Sequence, residues 1–337
     1  MPARKKTPPR QTDSFPNNMN IKWQSVIFII LILGSLAFTK ISSTSFLSMF
    51  SSSSDSPAAI LDVSPGSSAT GYESGWQFSA TSSINKIPLR KWDVPDISIN
   101  AQAVLMQSLD DNRPFLNYRT NKPWPIASIT KLVTASVALE TLGANQKIDV
   151  SQRAVDTEGT AGNLISGEVY RMEDLIKIML ITSSNDAVTA IEERFGGADE
   201  LTRMLNKKAG ELGMADTVFY DGSGLSDLDV STASDLLKLV RYIIEEHPDI
   251  LGWTRLPSIL VQPLNSQAIK TLYNINPFVG SADFLGGKTG TLPEAKQNIL
   301  GLFSFGDFRM AVAVLGADDR IKEVPRLFEW IKGAYEF

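Results

Sequence analysis

The 337-residue chain has no cysteine and a single histidine. The first absence removes thiol nucleophiles, cysteine-ligated zinc and disulfides. The second removes any zinc site built on two histidines of this chain. A Ser-His-Asp triad has only His247 to draw on. That residue stands in Glu245-Glu246-His247-Pro248, and it reads as a helix end beside the last carbonyls. Basic clustering is also missing. Lys and Arg total 32 against 37 Asp and Glu, a formal charge of −5. Without a basic stripe, nucleic acid is not expected as a partner. Any hydrolytic base is therefore sought outside histidine, and no cofactor or metal is called for.

Long apolar runs are scarce, with one exception. Trp23 to Thr39 is apolar apart from Gln24, two serines and Thr39. It follows Arg4, Lys5, Lys6, Arg10 and Lys22, with Asp13 the one acid among them. As a helix it spans roughly 25 Å, slightly short of a bilayer core. The basic flank marks residues 1–22 as a cytoplasmic tail and sends the rest across the membrane. The segment 23–39 is either a retained transmembrane anchor or a signal segment cut near Ser35-Leu36-Ala37. The long basic flank and Lys40 favour the anchor. Residues 40–85, with Ser51-Ser52-Ser53-Ser54, read as a flexible linker with a reach of roughly 35–40 Å. The expected location is the cell membrane, single-pass, with the main domain extracytoplasmic. If the segment is cleaved, that domain is secreted or periplasmic.

Residues 86–337 have the patterning of a folded domain. Strands are expected at 101–108 and 115–120 around an Asp110–Pro114 turn. Apolar residues Ile129, Leu132, Val133, Val137 and Leu139 predict a helix from Ser128 to Leu142. Four helical stretches follow, at 172–181, 187–195, 198–212 and 234–246. Three strands, 282–291, 298–305 and 308–315, precede a last helix over 320–335. This order predicts an α+β fold, a mainly antiparallel sheet flanked by helices with an inserted helical lobe.

Three short motifs carry chemistry: Ser128-Ile129-Thr130-Lys131, Ser183-Ser184-Asn185 and Lys288-Thr289-Gly290. Singly they are weak. Ser-x-x-Lys recurs at Ser83–Lys86, and Ser-x-Asn at Ser83 and Ser98. A lone serine before a helix is commonly an N-cap. Order, spacing and context separate the set from chance. Ser128 and Lys131 share a helix face, three residues apart. Lys131 accepts the Ser128 proton only when neutral, and burial or a second cation such as Lys288 lowers its pKa. The Ser128 and Thr291 backbone N–H groups are candidate oxyanion donors. Gly290 leaves room for an extended peptide to pair with the strand. Lys288 and Thr289 are candidate binders of a terminal carboxylate. Ser183 is read as a proton relay between Lys131 and a leaving amine, and Asn185 as a binder of a substrate amide.

Two decoys fall away. Gly287-Lys288-Thr289 is not the end of a phosphate-binding loop, because position 282 is alanine and Pro293 precludes a following helix. Asp221, Asp227 and Asp229 lack calcium-loop spacing and read as turn residues.

The segments 125–132, 181–187, Asp221–Ser226 and Gly286–Thr291 resemble the serine-type D-alanyl-D-alanine carboxypeptidases, the low-molecular-mass penicillin-binding proteins. The likeness runs from about Ile97 to Phe337. It implies peptidoglycan stem peptides ending in D-Ala-D-Ala as partners, an acyl-enzyme on Ser128, and β-lactams as covalent inhibitors. A single catalytic domain is expected, since fewer than fifty residues follow Gly290. Some such relatives are endopeptidases. A β-lactamase is the first alternative, although no Glu-x-x-x-Asn stretch follows Asn185. The second is a non-catalytic membrane-tethered β-lactam or peptidoglycan sensor, which the short cytoplasmic tail disfavours.

Overall fold

The computed structural model describes residues 87–159 and 161–337. Both the anchor or signal segment 23–39 and the linker 40–85 lie outside them. Among the described residues no helix is long and apolar enough to cross a membrane.

The centre is a five-stranded antiparallel sheet. In spatial order its strands are Phe284–Leu292, Lys296–Phe305, Phe308–Ala317, Ala103–Ser108 and Pro114–Tyr118. The sheet's first strand in sequence thus pairs with its last, Met310 with Ser108 and Leu315 with Ala103. Alternation divides the two faces. Leu105, Leu302, Ala311 and Ala313 face the helical lobe. Met106, Phe303, Met310 and Val312 face the other way. Both faces are covered, which is why these strands read as unbroken apolar runs.

The last helix, Arg320–Ala334, lays Val324, Leu327, Phe328 and Ile331 on the second face. Asp319 caps its start, accepting from the Ile321 and Lys322 N–H groups. Leu327 is fully buried there. Cutting such a side chain to alanine typically costs 2–5 kcal/mol. The helical lobe holds Met172–Thr182, Asn185–Phe195 and Ala198–Glu211. Helix Lys131–Leu142 packs on these three, and helix Ala233–Glu246 packs on the sheet strands Phe308–Ala317 and Ala103–Ser108.

Sequence expectation and structure agree on every long element. The differences are short. Small antiparallel pairs, Lys147–Asp149 with Val169–Arg171 and Ser258–Val261 with Lys270–Tyr273, went unanticipated. Strands of three or four residues carry little periodic signal. The helix expected from Ser128 begins as a 3-10 turn, Ala127–Thr130, and becomes α-helical at Lys131.

Candidate active site

The 3-10 turn sets the first geometry. Residues three apart eclipse in such a turn, so Lys131 stands over Ser128. Lys131 Nζ lies 3.0 Å from Ser128 Oγ. Ahead of the serine, Ala127 is held at φ 51, a conformation that non-glycine residues rarely adopt. Gly290 explains how it is held. A Cβ on Gly290 would overlap the Ile126 carbonyl oxygen and sit 3.1 Å from the Ser128 nitrogen. The missing side chain therefore admits the Ser128 backbone. The room expected for a peptide at Gly290 is taken up by Ile126, Ala127 and Ser128.

Lys131 is entirely buried. Its amine meets three neutral oxygens: Ser128 Oγ, Asn185 Oδ1 at 2.7 Å and the Ser223 carbonyl at 2.6 Å. Burial pulls its pKa down to about 7, against the opposing pull of Asp221, Asp229 and Asp186. A base that is half neutral near neutral pH follows from that environment.

Ser183 ends helix Met172–Thr182 in the left-handed conformation, φ 60. Glycine or asparagine usually takes that place. Ser184 then caps the next helix by accepting from the Ala187 N–H at 3.0 Å. The break is only these two residues long. It turns Ser183 toward the sheet, where Lys288 Nζ donates to Ser183 Oγ at 3.0 Å and to the Thr289 carbonyl at 2.8 Å. Asn185, buried, is gripped at both ends, since its Nδ2 donates to the Glu158 carbonyl at 2.9 Å.

Three contacts bear on the expected roles. Ser183 is bonded to Lys288. Asn185 gives its carbonyl oxygen to Lys131 and one of its two Nδ2 hydrogens to the Glu158 carbonyl. Lys288 is also not the cation that depresses Lys131. Burial, with repulsion from Lys131 and Arg320, drives the Lys288 pKa well below the ordinary lysine value. The Lys131 shift itself comes from burial, and the charges that act on it are the carboxylates of Asp221, Asp229 and Asp186.

Lys288, Thr289, Gly290 and Thr291 lie on Phe284–Leu292, an edge strand of the sheet. Its register with the neighbouring strand is continuous from Gly286 to Leu292. The Gly287 N–H donates to Thr254 Oγ1 at 2.8 Å, and the Gly287 carbonyl accepts from Asn276 Nδ2 at 3.3 Å. Lys288 and Thr289 are buried, whereas Thr291 is exposed.

Peptidase family S11, described as D-alanyl-D-alanine carboxypeptidase, has a model that matches residues 91–319. The chain belongs to this family. It is a serine-type peptidase with a penicillin-binding-protein fold. A D-alanyl-D-alanine endopeptidase of Haemophilus influenzae is 31% identical over 205 residues, 59% of this chain and 69% of that one. The D-alanyl-D-alanine carboxypeptidase DacF of Bacillus subtilis is 25% identical over 256 residues, 72% of this chain and 64% of that one. The chain thus spans about two thirds of the length of these two relatives. Penicillin-binding protein D2 from Listeria monocytogenes, solved in a cefotaxime-bound form, aligns with TM-score 0.62 and 29% identity over 71% of this chain and 99% of that structure.

Two groups in this peptidase's site escaped sequence reading. Arg320 Nη1 donates to Thr291 Oγ1 at 2.7 Å and to the Gly290 carbonyl at 2.9 Å. Its Nε is buried with no partner, an N–H donor left for something else. The meander of Phe284–Leu292, Lys296–Phe305 and Phe308–Ala317 brings it beside Thr291. Asp229 read as a turn residue, yet it is fully buried. It accepts from Thr130 Oγ1 and from the Tyr220 and Asp221 N–H groups, and burial beside Asp221 pushes its pKa up to about 7. His247 behaves as expected. It ends helix Ala233–Glu246, with Nε2 3.1 Å from Glu140 Oε1. Glu140 is twelve residues beyond Ser128, roughly 18 Å along a helix.

Proposed function

We propose that the protein is a D-Ala-D-Ala carboxypeptidase acting on peptidoglycan stem peptides outside the cytoplasmic membrane, with Ser128 as nucleophile and Lys131 as its base. The observation that carries this is the buried amine of Lys131, 3.0 Å from Ser128 Oγ and with a pKa of about 7. Ser128 Oγ attacks the carbonyl carbon of the penultimate D-Ala, and its proton passes to Lys131 Nζ. The carbonyl oxygen becomes an oxyanion between the Ser128 and Thr291 N–H groups. Losing one such donor typically costs about 10²–10³ in rate. The closeness of Gly290 to the Ser128 nitrogen supports that pairing. Collapse of the intermediate breaks the C–N bond, and the leaving amine takes the proton that Lys131 received, relayed through Ser183, which Lys288 holds in place. Water then releases the acyl group from Ser128.

The substrate's free carboxylate belongs beside Lys288, Thr289, Thr291 and Arg320. Arg320 supplies a guanidinium charge there, beside the buried amine of Lys288. Asn185 acts as a fixed partner of Lys131, and the amide of the substrate pairs with the edge strand beyond Gly290. The basic residues before the apolar run 23–39 support a membrane anchor with the linker 40–85 as tether.

Incubation with muropeptides followed by mass spectrometry of the products tests the reading. Loss of one terminal D-Ala supports it. Scission of a cross-link makes the protein an endopeptidase instead, the activity named for the Haemophilus relative. A fluorescent penicillin is expected to label the wild-type protein, and Ser128→Ala to abolish labelling. Rapid clearance of the adduct with turnover of nitrocefin favours a β-lactamase. A stable adduct with no peptidase activity favours a sensor.

A further inference from the structure

The turn Asp221–Ser226 has no part in the chemistry proposed above, yet it touches both members of the dyad. Asp221 is its hub. Its Oδ1 accepts from the N–H groups of Ser223 at 2.6 Å, Gly224 at 2.6 Å and Leu225 at 3.3 Å, and from Ser223 Oγ at 2.8 Å. Its Oδ2 accepts from the Ser226 N–H at 2.6 Å. One carboxylate gathering five donors gives the turn a single shape.

That shape presents three groups to helix Lys131–Leu142 and the residues before it. The Ser223 carbonyl accepts from Lys131 Nζ at 2.6 Å. The Gly222 carbonyl accepts from Thr134 Oγ1 at 2.7 Å, one turn further along. Gly224, at φ 79, packs so closely on Ala127 that an added Cβ would overlap its carbonyl and lie 2.9 Å from the Ser128 nitrogen. Gly290 presses on the same backbone from the sheet side. The strained Ala127 is thus clamped between two glycines, one of them placed by the turn.

We propose that Asp221 is a positioning residue for acylation, orienting the Lys131 amine through the Ser223 carbonyl and seating the Ser128 backbone through Gly224. The inference rests on the roles of Ser128 and Lys131 given above. It has an electrostatic signature. Lys131 is faced by Asp221 and Asp229 from this loop, by Asp186 from helix Asn185–Phe195 and by Lys288 from the edge strand. Asp221 is itself faced by Asp229 and Glu192. Its negative charge opposes the burial that lowers Lys131. Making it neutral lets the Lys131 pKa fall further, and the acid limb of the acylation profile moves to lower pH. A purely structural lesion slows the reaction without moving that limb.

The test measures acylation by a fluorescent penicillin between about pH 5 and 9, on the full-length wild type, Asp221→Asn, Asp221→Ala, Ser128→Ala and Asn206→Ala. Asn206 ties Phe219 to Thr202 in the same lobe, with bonds of 2.8 to 3.0 Å, away from Lys131. Asp221→Asn, which keeps the shape but turns one acceptor into a donor, is expected to slow acylation about tenfold, the equivalent of one lost bond, and to shift the limb downward. Asp221→Ala is expected to slow it about 10²-fold. Asn206→Ala is expected to lower Tm and leave the profile in place. Wild-type rate and an unmoved limb in Asp221→Asn overturn the inference, even if Asp221→Ala does not fold. So does an equal loss of rate in Asn206→Ala and Asp221→Ala at equal Tm. Normal labelling of Ser128→Ala removes the nucleophile assignment instead. An unlabelled Ser128→Ala beside a normal Asp221→Asn removes only the inference.

Discussion

The two ends of helix Lys131–Leu142 each gather a lysine among acids, with opposite results. At the first end, Lys131 touches neutral oxygens only, and the carboxylates of Asp221, Asp229 and Asp186 act at a distance. Burial wins, and the pKa drops to about 7. At the second end, Glu140 collects Lys208, Tyr242 and His247 near the surface. Lys208 loses some solvation too, but direct bonds to Glu140 at 2.6 Å and Glu211 at 3.1 Å outweigh that loss and hold its pKa above the ordinary value. Counting acids near a lysine therefore does not predict its charge. What decides is whether a carboxylate touches the amine, and how much water remains.

Exchanging the two ends breaks or sharpens that contrast. Lys131→Met is expected to slow acylation by about 10²–10⁴-fold, the usual contribution of a general base. Glu140→Gln, at the other end, leaves acylation within about twofold, since a surface ion pair has little reach. Stopped-flow acylation by a penicillin reads both. Near-equal losses would end the distinction.

The pH profile is next in size. Lys131 must be neutral to accept a proton, so the acylation rate rises with pH through about 7 and levels off above. A rate that falls over that range would mean that a protonated Lys131 is the active form. His247→Ala leaves this limb unmoved, because His247 belongs to the Glu140 end.

Arg320→Ala tests the second cation of the site. A hydrogen bond to a charged group contributes about 1.5–3 kcal/mol. KM for a peptide ending in a free carboxylate is expected to rise about 10–100-fold, with little change for the same peptide ending in an amide. Equal effects on both peptides would make Arg320 a strut for the edge strand and no more.

The smallest effect is on stability at the Glu140 end. Burial raises the Glu140 carboxyl, but Lys208, Tyr242 and His247 more than offset it and hold the pKa below 4.5. A depressed carboxyl stabilises the fold above its unfolded pKa and loses that contribution as pH falls through the folded value. Glu140→Gln should therefore lower Tm by a few degrees at pH 7, about 1 kcal/mol or less at this partly exposed site. The gap should close in acid, which a thermal melt at each pH shows. A gap that widens in acid would reverse the sign of the cluster.

Long elements were legible from periodicity because each buries one repeating face. Val324, Leu327 and Ile331 recur at helical spacing and meet the sheet. The short pairs Lys147–Asp149 and Ser258–Val261 were not legible, since three or four residues carry no period. In the site, the three motifs come together around Lys131 and Lys288. Their contacts were not legible. Ser183 turned to Lys288, Asn185 to Lys131, and Gly290 to the backbone behind Ser128. Each of those contacts spans more than fifty residues, except that within the Ser128–Lys131 dyad, which a local turn makes. Arg320 and Asp229 carry no motif at all.

The sequence by itself determined the catalytic repertoire. It has no cysteine and one histidine, so serine and lysine remain, and the spacing of Ser128 and Lys131 joins them on one turn. Spacing along a chain can state adjacency across one helical turn, but it is silent on solvent. Only the tertiary structure removed water from Lys131 and Lys288, aimed the Ser223 carbonyl at the amine and closed two glycines on Ala127. Burial depends on what folds over a residue, and here the covering comes from the turn at 221–226, the break at 183–184 with Asn185 beyond it, and a strand more than a hundred residues away.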